Sequence, residues 1–157
     1  MEVYSMWVRA PPWAQMKTSI WTDKPLMKGA EPVFLKGTKN VGILLLHGWS
    51  SSPQEFHAGY FPSMAEYLNK KGYTVYVPLR LGQGTEVTDL IGLTWEDWIK
   101  DALDHYDTLA KEVDKIFVGG MSMGGNLALQ LAVERDVTGV IPMGASLLMR
   151  LHPLFVF

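Results

Sequence analysis

The sequence predicts an α/β fold in which helices flank a mostly parallel β-sheet. Short runs of β-branched and aromatic residues alternate along the chain with longer segments whose apolar residues recur at helical spacing. Two of the runs, 41–46 and 74–77, are almost entirely apolar, which is typical of parallel strands covered on both faces. Small polar loops follow these runs, at the carboxyl ends of strands where ligand sites of α/β sheets lie.

The composition is that of a single globular domain. The chain has 157 residues, of which 48% are hydrophobic and 19% charged, with a formal net charge of −2. This charge gives no reason to expect nucleic acid or an anionic membrane surface as a partner. The chain has no cysteine, which excludes disulfides and thiolate chemistry. No apolar stretch approaches the roughly 18 residues of a membrane span, and no secretory signal pattern is present, so a cytoplasmic location is expected.

The chain is predicted to begin with an irregular arm over residues 1–28, followed by a folded domain over 29–157 whose apolar last residues could begin a further covering segment. The arm contains three tryptophans and either packs on the domain or forms a lid at a substrate entrance. A short strand, Val33–Leu35, turns into a central strand, Val41–Leu46, which ends in a polar loop over 47–53. A helix is predicted over 62–71, because apolar residues recur at helical spacing and Gly72 follows as a C-terminal cap.

A third strand, Thr74–Val77, is predicted to end at Pro78. Thr94 and Asp97 then resemble a capping box at the start of a long helix, since the next nineteen residues or so carry one apolar stripe. This helix is predicted to extend over 95–113. A strand over 115–119, a helix over 126–135 and a last strand over 137–143 complete the order of elements.

The turn between the fourth strand and its helix, Gly120-Met121-Ser122-Met123-Gly124, fits the G-x-S-x-G pattern of a nucleophile elbow. Glycines are needed two residues before and after the serine because the turn crowds the backbone where a Cβ atom would collide. The amides at the start of the next helix suit a developing negative charge. The pattern indicates a nucleophilic Ser122; the alternative is a helix N-cap in a non-catalytic turn.

Four segments together resemble the N-terminal half of an α/β-hydrolase, in particular the bacterial carboxylesterases and monoacylglycerol lipases. They are GILLLHGWSSSPQEF, AEYLNKKGYTVYVPLRLGQGT, TWEDW and FVGGMSMGGNLALQLA, and they follow the order and spacing of the family within residues 29–148. The resemblance implies an α/β-hydrolase fold truncated after the sixth strand. Gln83 departs from the family, which usually has histidine at this position of a mainly structural turn.

The resemblance implies roles for three residues. Ser122 is the expected nucleophile, and the backbone amides of Met123 and Trp49 are the expected oxyanion donors, with the Trp49 ring as an apolar wall for an acyl chain. The implied activity is hydrolysis of a small-molecule carboxylic ester through an acyl-enzyme, on short to medium acyl chains or monoacylglycerols. A thioesterase, an acyltransferase and a catalytically inactive binding module stay open as alternatives.

The catalytic acid and histidine are not expected in this chain. In this fold they follow the serine, but the only candidates after Ser122 are Glu134, Asp136 and His152, which come before two further strand–helix units are complete. The last predicted strand would then present an unpaired apolar edge. The sequence therefore suggests a fragment, completed by a second chain, by a C-terminal fragment or by a homo-oligomer.

The other polar candidates are expected to be structural. His47 is predicted to hold the loop that carries Trp49, whereas His57 and His105 are predicted to be solvated. The tryptophans of TWEDW are predicted to lie in the core. No cofactor is expected, and no spacing of histidine and carboxylate residues suggests a metal site.

Overall fold

Five strands form one sheet within residues 24–57 and 63–147, the residues that the computed structural model describes. The strands are β1 (Val33–Leu35), β2 (Val41–Leu46), β3 (Thr74–Val77), β4 (Lys115–Met121) and β5 (Gly139–Met143). Their order across the sheet is β1-β3-β2-β4-β5. β1 is antiparallel to β3, and the other pairs are parallel. All five predicted strands are thus confirmed, together with the mostly parallel sheet.

Four α-helices and one 3₁₀-helix, Val87–Leu90, lie between the strands of the described part. The α-helices are α1 (Gln54–His57), α2 (Met64–Lys70), α3 (Trp95–Leu109) and α4 (Met123–Glu134). The capping interaction at α3 is confirmed, because the amide of Thr94 donates to the Asp97 carboxylate at 2.8 Å. That amide and the Thr94 hydroxyl lower the pKa of Asp97 below its usual value.

The long helix ends at Leu109, four residues before its predicted end. Val113 belongs to the hydrophobic core but lies in the connection to β4, so its apolar character reflects burial and not helical periodicity. α4 begins at Met123, three residues earlier than predicted. Glycine disfavours helix, yet Gly124 and Gly125 lie in the first turn of α4, where Gly124 packs closely on the backbone of β2.

Each face of the sheet carries its own hydrophobic cluster. Alternate residues of β2 point to opposite faces, so Leu44 and Leu46 pack with α3 and α4, whereas Ile43 and Leu45 pack with Phe56 of α1 and with α2. The sheet is therefore covered on both sides, as the apolar strands predicted.

The two tryptophans of TWEDW differ in solvent exposure. Trp98 is half-buried against the cluster formed with α3 and α4, whereas Trp95 is exposed. The prediction of a core position is therefore wrong for Trp95, which lies at the first turn of α3, on its solvent side.

β5 forms one edge of the described sheet. Its partner on one side is β4, and no described strand pairs with its other side. Ile141 of this strand is 53% exposed. Residues 1–23 and 148–157 lie outside the described part, so the arm predicted over 1–28, apart from its last residues, and His152 stay predictions.

Candidate active site

Ser122 lies at the junction of β4 and α4, in a backbone conformation that residues other than glycine rarely adopt. Its φ is 52° and its ψ is −116°. Its amide donates to the carbonyl of Met143 at 2.8 Å, which ties the turn to the end of β5. Ser122 is exposed although both flanking elements are largely buried. The turn thus presents its residue to solvent at the carboxyl ends of the strands.

Two glycines make this turn sterically possible. A Cβ atom on Gly120 would lie 2.1 Å from the carbonyl oxygen of Gly124. A Cβ atom on Gly124 would lie 2.0 Å from the carbonyl oxygen of Leu46, at the end of β2. Both obstacles are main-chain atoms that no rotamer change can move. The predicted reason for the glycines in G-x-S-x-G is therefore confirmed.

The loop after β2 lies beside this turn. β2 and β4 are paired with Leu46 opposite Gly120, so the residues that follow each strand emerge next to one another. A Cβ atom on Gly48 would lie 3.5 Å from the carbonyl oxygen of Met121, in ordinary contact. The sheet thus brings the segment that carries Trp49 alongside the segment that carries Ser122.

The amides of Trp49 and Met123 have no partner that would occupy them in the described structure. Met123 is the first residue of α4, and the first amides of a helix have no acceptor within the helix. The amide of Trp49 donates to none of the residues 24–57 and 63–147. Within the described residues, neither amide is thus engaged by another group.

The ring of Trp49 is 49% exposed and rests on a second indole. The ring centroids of Trp49 and Trp98 are 5.2 Å apart with an angle of 78° between the planes, an edge-to-face contact. The indole N–H of Trp98 donates to the carbonyl of Leu81 at 3.2 Å, which fixes the supporting ring.

His47 is fully buried and anchors the loop from within, in agreement with the structural role predicted for it. Its Nδ1 lies 3.1 Å from the carbonyl oxygen of Gly48, and its Nε2 accepts from the amide of Arg80 at 3.3 Å. A ring that accepts at Nε2 carries its proton on Nδ1. Burial, and next the positive charge of Arg80, lower the pKa of His47 to about 4, so the ring is neutral near pH 7.

Arg80 and Glu55 also hold this loop, and the sequence did not single out either of them. Nη1 of the fully buried Arg80 donates to the carbonyl oxygen of His47 at 2.7 Å. Glu55, an exposed residue of α1, accepts from the amide of Gly48 at 2.7 Å. Burial lowers the pKa of Arg80 to about 10, against the opposing effect of the Asp101 and Glu55 charges. The available signal was a lone arginine in the otherwise apolar run from Pro78 to Leu81.

The prediction that His105 is solvated is wrong. His105 is buried on α3, where its Nδ1 lies 2.9 Å from the hydroxyl of Tyr76 and its Nε2 lies 3.3 Å from Oδ1 of Asp101. Asp101 also accepts from the amide of Leu81 at 3.1 Å. The i, i+4 spacing of Asp101 and His105 on the buried stripe of α3 was the signal for this pair. Although it is an acid–histidine pair, its described contacts do not include Ser122.

His57, also predicted to be solvated, is half-buried at the end of α1.

A cavity of about 660 Å³ lies beside the loop, lined among others by Ser50, Ser52, Gln83 and Thr85. Gln83 is buried in the turn that was predicted to be structural. Neither Ser122 nor Trp49 lines this cavity.

No group of three or more histidine and carboxylate side chains is placed to hold a metal ion within residues 24–57 and 63–147. In the same part of the chain, no helix has the length and apolar character needed to cross a membrane.

Characterised proteins similar to this chain include a lipase and a carboxylesterase. It is similar to a thermostable monoacylglycerol lipase from Bacillus sp. (strain H-257), with 37% identity over 123 residues that cover 78% of this chain and 47% of the lipase. It is also similar to a carboxylesterase from Bacillus subtilis (strain 168), with 31% identity over 118 residues that cover 74% of this chain and 46% of the esterase. The chain spans about half the length of these relatives.

Solved structures give the same result. A structure of the metagenome-derived lipolytic enzymes LipS and LipT matches with a TM-score of 0.72 and 33% identity, over 82% of this chain and 51% of that one. Est1E from Butyrivibrio proteoclasticus, with ferulic acid bound, matches with a TM-score of 0.60 and 25% identity, over 74% of this chain and 49% of that one. A model of the alpha/beta hydrolase family matches residues 43–156. With this match and the strand order around its serine turn, the chain belongs to the alpha/beta hydrolase family.

Proposed function

We propose that this chain carries the nucleophile and the oxyanion site of a serine carboxylic-ester hydrolase. The single observation that carries the proposal is an exposed Ser122 at positive φ, between two glycines and at the start of α4. In a nucleophile elbow, a turn of this kind lifts the serine above the sheet edge at the N-terminus of a helix, which supports the proposal.

The proposed reaction has two acyl-transfer steps. Oγ of Ser122 attacks the carbonyl carbon of the ester while its proton passes to a base, and the amides of Met123 and Trp49 donate to the resulting oxyanion. The C–O bond to the alcohol then breaks, the base returns the proton to the leaving alcohol, and an acyl-enzyme remains. Water, deprotonated by the same base, attacks the acyl carbon, the bond to Oγ breaks, and the base returns the proton to Oγ, which releases the acid and regenerates Ser122.

The base and its acid are proposed to come from outside the described residues. None of the three described histidines hydrogen-bonds to Ser122: His47 contacts Gly48 and Arg80, His105 contacts Tyr76 and lies 3.3 Å from Asp101, and Nδ1 of His57 has no described partner. A further segment, a second chain or another copy of this chain would therefore supply the imidazole; His152 lies outside the described part.

The proposed substrates are small esters with short to medium acyl chains, or monoacylglycerols. The relatives are a monoacylglycerol lipase and a carboxylesterase, as their names state. In addition, the half-exposed indole of Trp49 offers an apolar surface beside the serine turn.

A fluorophosphonate probe tests this proposal, because it reacts with an activated serine. In the protein assembled with the segment or chain that supplies the imidazole, we expect labelling at Ser122, loss of the label in Ser122→Ala, and an unchanged label in Ser146→Ala. Ser146 is the matched control, since it is also an exposed serine near the carboxyl end of a strand. Labelling that survives in Ser122→Ala would contradict the proposal.

An inactive binding module is the second candidate. It is favoured because the rings of His47 and His105 contact other residues and not Ser122. It predicts that the probe does not label the assembled protein. If labelling does occur, turnover of p-nitrophenyl esters in preference to acyl-CoA separates an esterase from a thioesterase.

A further inference from the structure

One peptide group of the loop is held at both ends by side chains of opposite charge. The carbonyl oxygen of His47 and the amide of Gly48 belong to the same planar unit. Nη1 of Arg80 donates to that oxygen at 2.7 Å, and the Glu55 carboxylate accepts from that amide at 2.7 Å. Hydrogen bonds to charged groups are among the stronger ones, and two at opposite edges of one planar peptide group restrain its orientation.

The two side chains come from different parts of the fold. Arg80 lies in the loop after β3, and Glu55 lies on α1, so the peptide group is held between two separate elements. The amide of Arg80 makes a third contact, to the ring of His47. The loop is therefore fastened to its neighbours immediately before Trp49.

Arg80 is fully buried, so its guanidinium carries a desolvation cost in free energy. Taking a charge out of water is expensive, and the cost is recovered only where hydrogen bonds and opposite charges satisfy the group. Nε and Nη2 of Arg80 have no hydrogen-bond partner in the described part of the chain, so the guanidinium is not fully satisfied there. Its single well-formed side-chain contact is the one to the carbonyl of His47.

The backbone freedom of Gly48 makes an external restraint on this peptide group necessary. A Cβ atom at this position would meet nothing closer than 3.5 Å, so close packing does not restrain the backbone at this glycine. Glycine is also the residue with the greatest freedom in φ and ψ. Without an external restraint, the next peptide group, which carries the amide of Trp49, could reorient.

We propose that Arg80 and Glu55 are positioning residues that hold the peptide group between His47 and Gly48 and so aim the amide of Trp49 at the oxyanion. This inference rests on the proposed function, in which that amide is a donor. Displacement of a catalytic group by about 1 Å can cost about 100-fold in rate.

The test compares Arg80→Met, Arg80→Lys and Glu55→Ala with the unchanged chain, with Glu96→Ala as the control for loss of an exposed carboxylate on a helix. The first readout is the rate of Ser122 labelling at saturating fluorophosphonate in the assembled protein. The second is hydrogen exchange of the Gly48 amide, followed by NMR. The third is the urea midpoint of unfolding.

We expect the labelling rate to fall about 10- to 100-fold in Arg80→Met and Glu55→Ala. Arg80→Lys, which keeps a charged donor, should recover part of the rate, and Glu96→Ala should match the unchanged chain. The Gly48 amide should exchange faster in Arg80→Met. The urea midpoint of this variant should fall, because the buried carbonyl of His47 loses its donor, so the positioning role is tested by the labelling rate and by its partial recovery in Arg80→Lys.

The outcomes separate the two proposals. If the unchanged chain is labelled at Ser122 and both Arg80→Met and Glu55→Ala react at the same rate, the positioning role is overturned. If the unchanged chain is not labelled, the proposed function fails, and Gly48 exchange then decides whether the peptide group is held. Unchanged exchange in both variants overturns the inference, and Glu55→Ala decides the case if Arg80→Met does not fold.

Discussion

At the scale of single residues, Gly124 sets the strictest limit on side-chain size in the serine turn. A Cβ atom there would lie 2.0 Å from a main-chain oxygen of β2, so Gly124→Ala must displace α4 from the strand. We expect a loss of about 3 kcal/mol in the free energy of unfolding, measured by urea titration.

Gly48→Ala is the control for stability, because its new methyl group makes only ordinary contacts, the nearest at 3.5 Å. It should cost clearly less than Gly124→Ala. Equal losses in the two variants would show that the close approach of α4 to β2 does not limit the turn.

His47 gives a pH-dependent contribution to stability. Its ordinary pKa is 6.5 and its folded pKa is about 4, so between these values the unfolded chain takes up a proton that the folded chain does not. Stability should therefore be complete above pH 6.5 and fall as the pH drops toward 4, by about 3 kcal/mol in total. Urea unfolding at several pH values measures this slope.

His47→Asn lacks the titrating group and should flatten the slope over the same range. An equally steep fall in His47→Asn would assign the pH dependence to other groups.

The sequence predicted the sharp serine turn and its glycines, because a local pattern determines a local turn. It did not predict Arg80, Glu55 or the buried state of His105. Their environments depend on which elements meet in space, and residue type alone does not tell whether a charged side chain is buried. The catalytic roles of Ser122, Met123 and Trp49 stay predictions that the labelling experiment tests.

At the scale of elements, the outer edge of β5 is the feature most exposed to association. It presents unpaired backbone groups and the 53% exposed Ile141, with no described strand beside it. We expect concentration-dependent self-association in sedimentation experiments, weakened by Ile141→Lys.

Ile91→Lys is the matched control, since Ile91 is 81% exposed but lies outside the strands. If the two substitutions reduce association equally, general surface hydrophobicity and not the strand edge is responsible.

The presence and type of these strands and helices were predicted more accurately than the residues at which they begin and end. Every strand was correctly identified, because continuous apolar runs are characteristic of a doubly covered sheet. The end of α3 was misjudged because Val113 continues the apolar stripe after the helix has stopped. The start of α4 was misjudged because glycine normally disfavours helix, and only close packing on β2 explains its presence there.

At the scale of the whole molecule, stability should decrease from the centre of the sheet to its edges. β2 lies between β3 and β4 and is buried except at its first residue, whereas β1 is half-buried and β5 is partly exposed. Amide hydrogen exchange should therefore be slowest in β2 and β4 and fastest in β1 and β5.

NMR-detected exchange measures this order. Uniform protection across the five strands would mean that the sheet opens only by global unfolding, against this prediction.

The overall fold could be predicted because several motifs occurred in family order, whereas each motif alone is weaker evidence for the family. A cytoplasmic location, the missing imidazole and the physiological ester have no comparable pattern in these residues and stay predictions or proposals.

The edge-to-face pair of Trp49 and Trp98 has a practical consequence. Two indoles this close couple their electronic transitions, so the pair should contribute a characteristic circular dichroism band that vanishes when either ring moves. Because Trp98 is anchored on α3, the band would act as an intrinsic optical sensor of the loop, readable during ligand titration without any added dye.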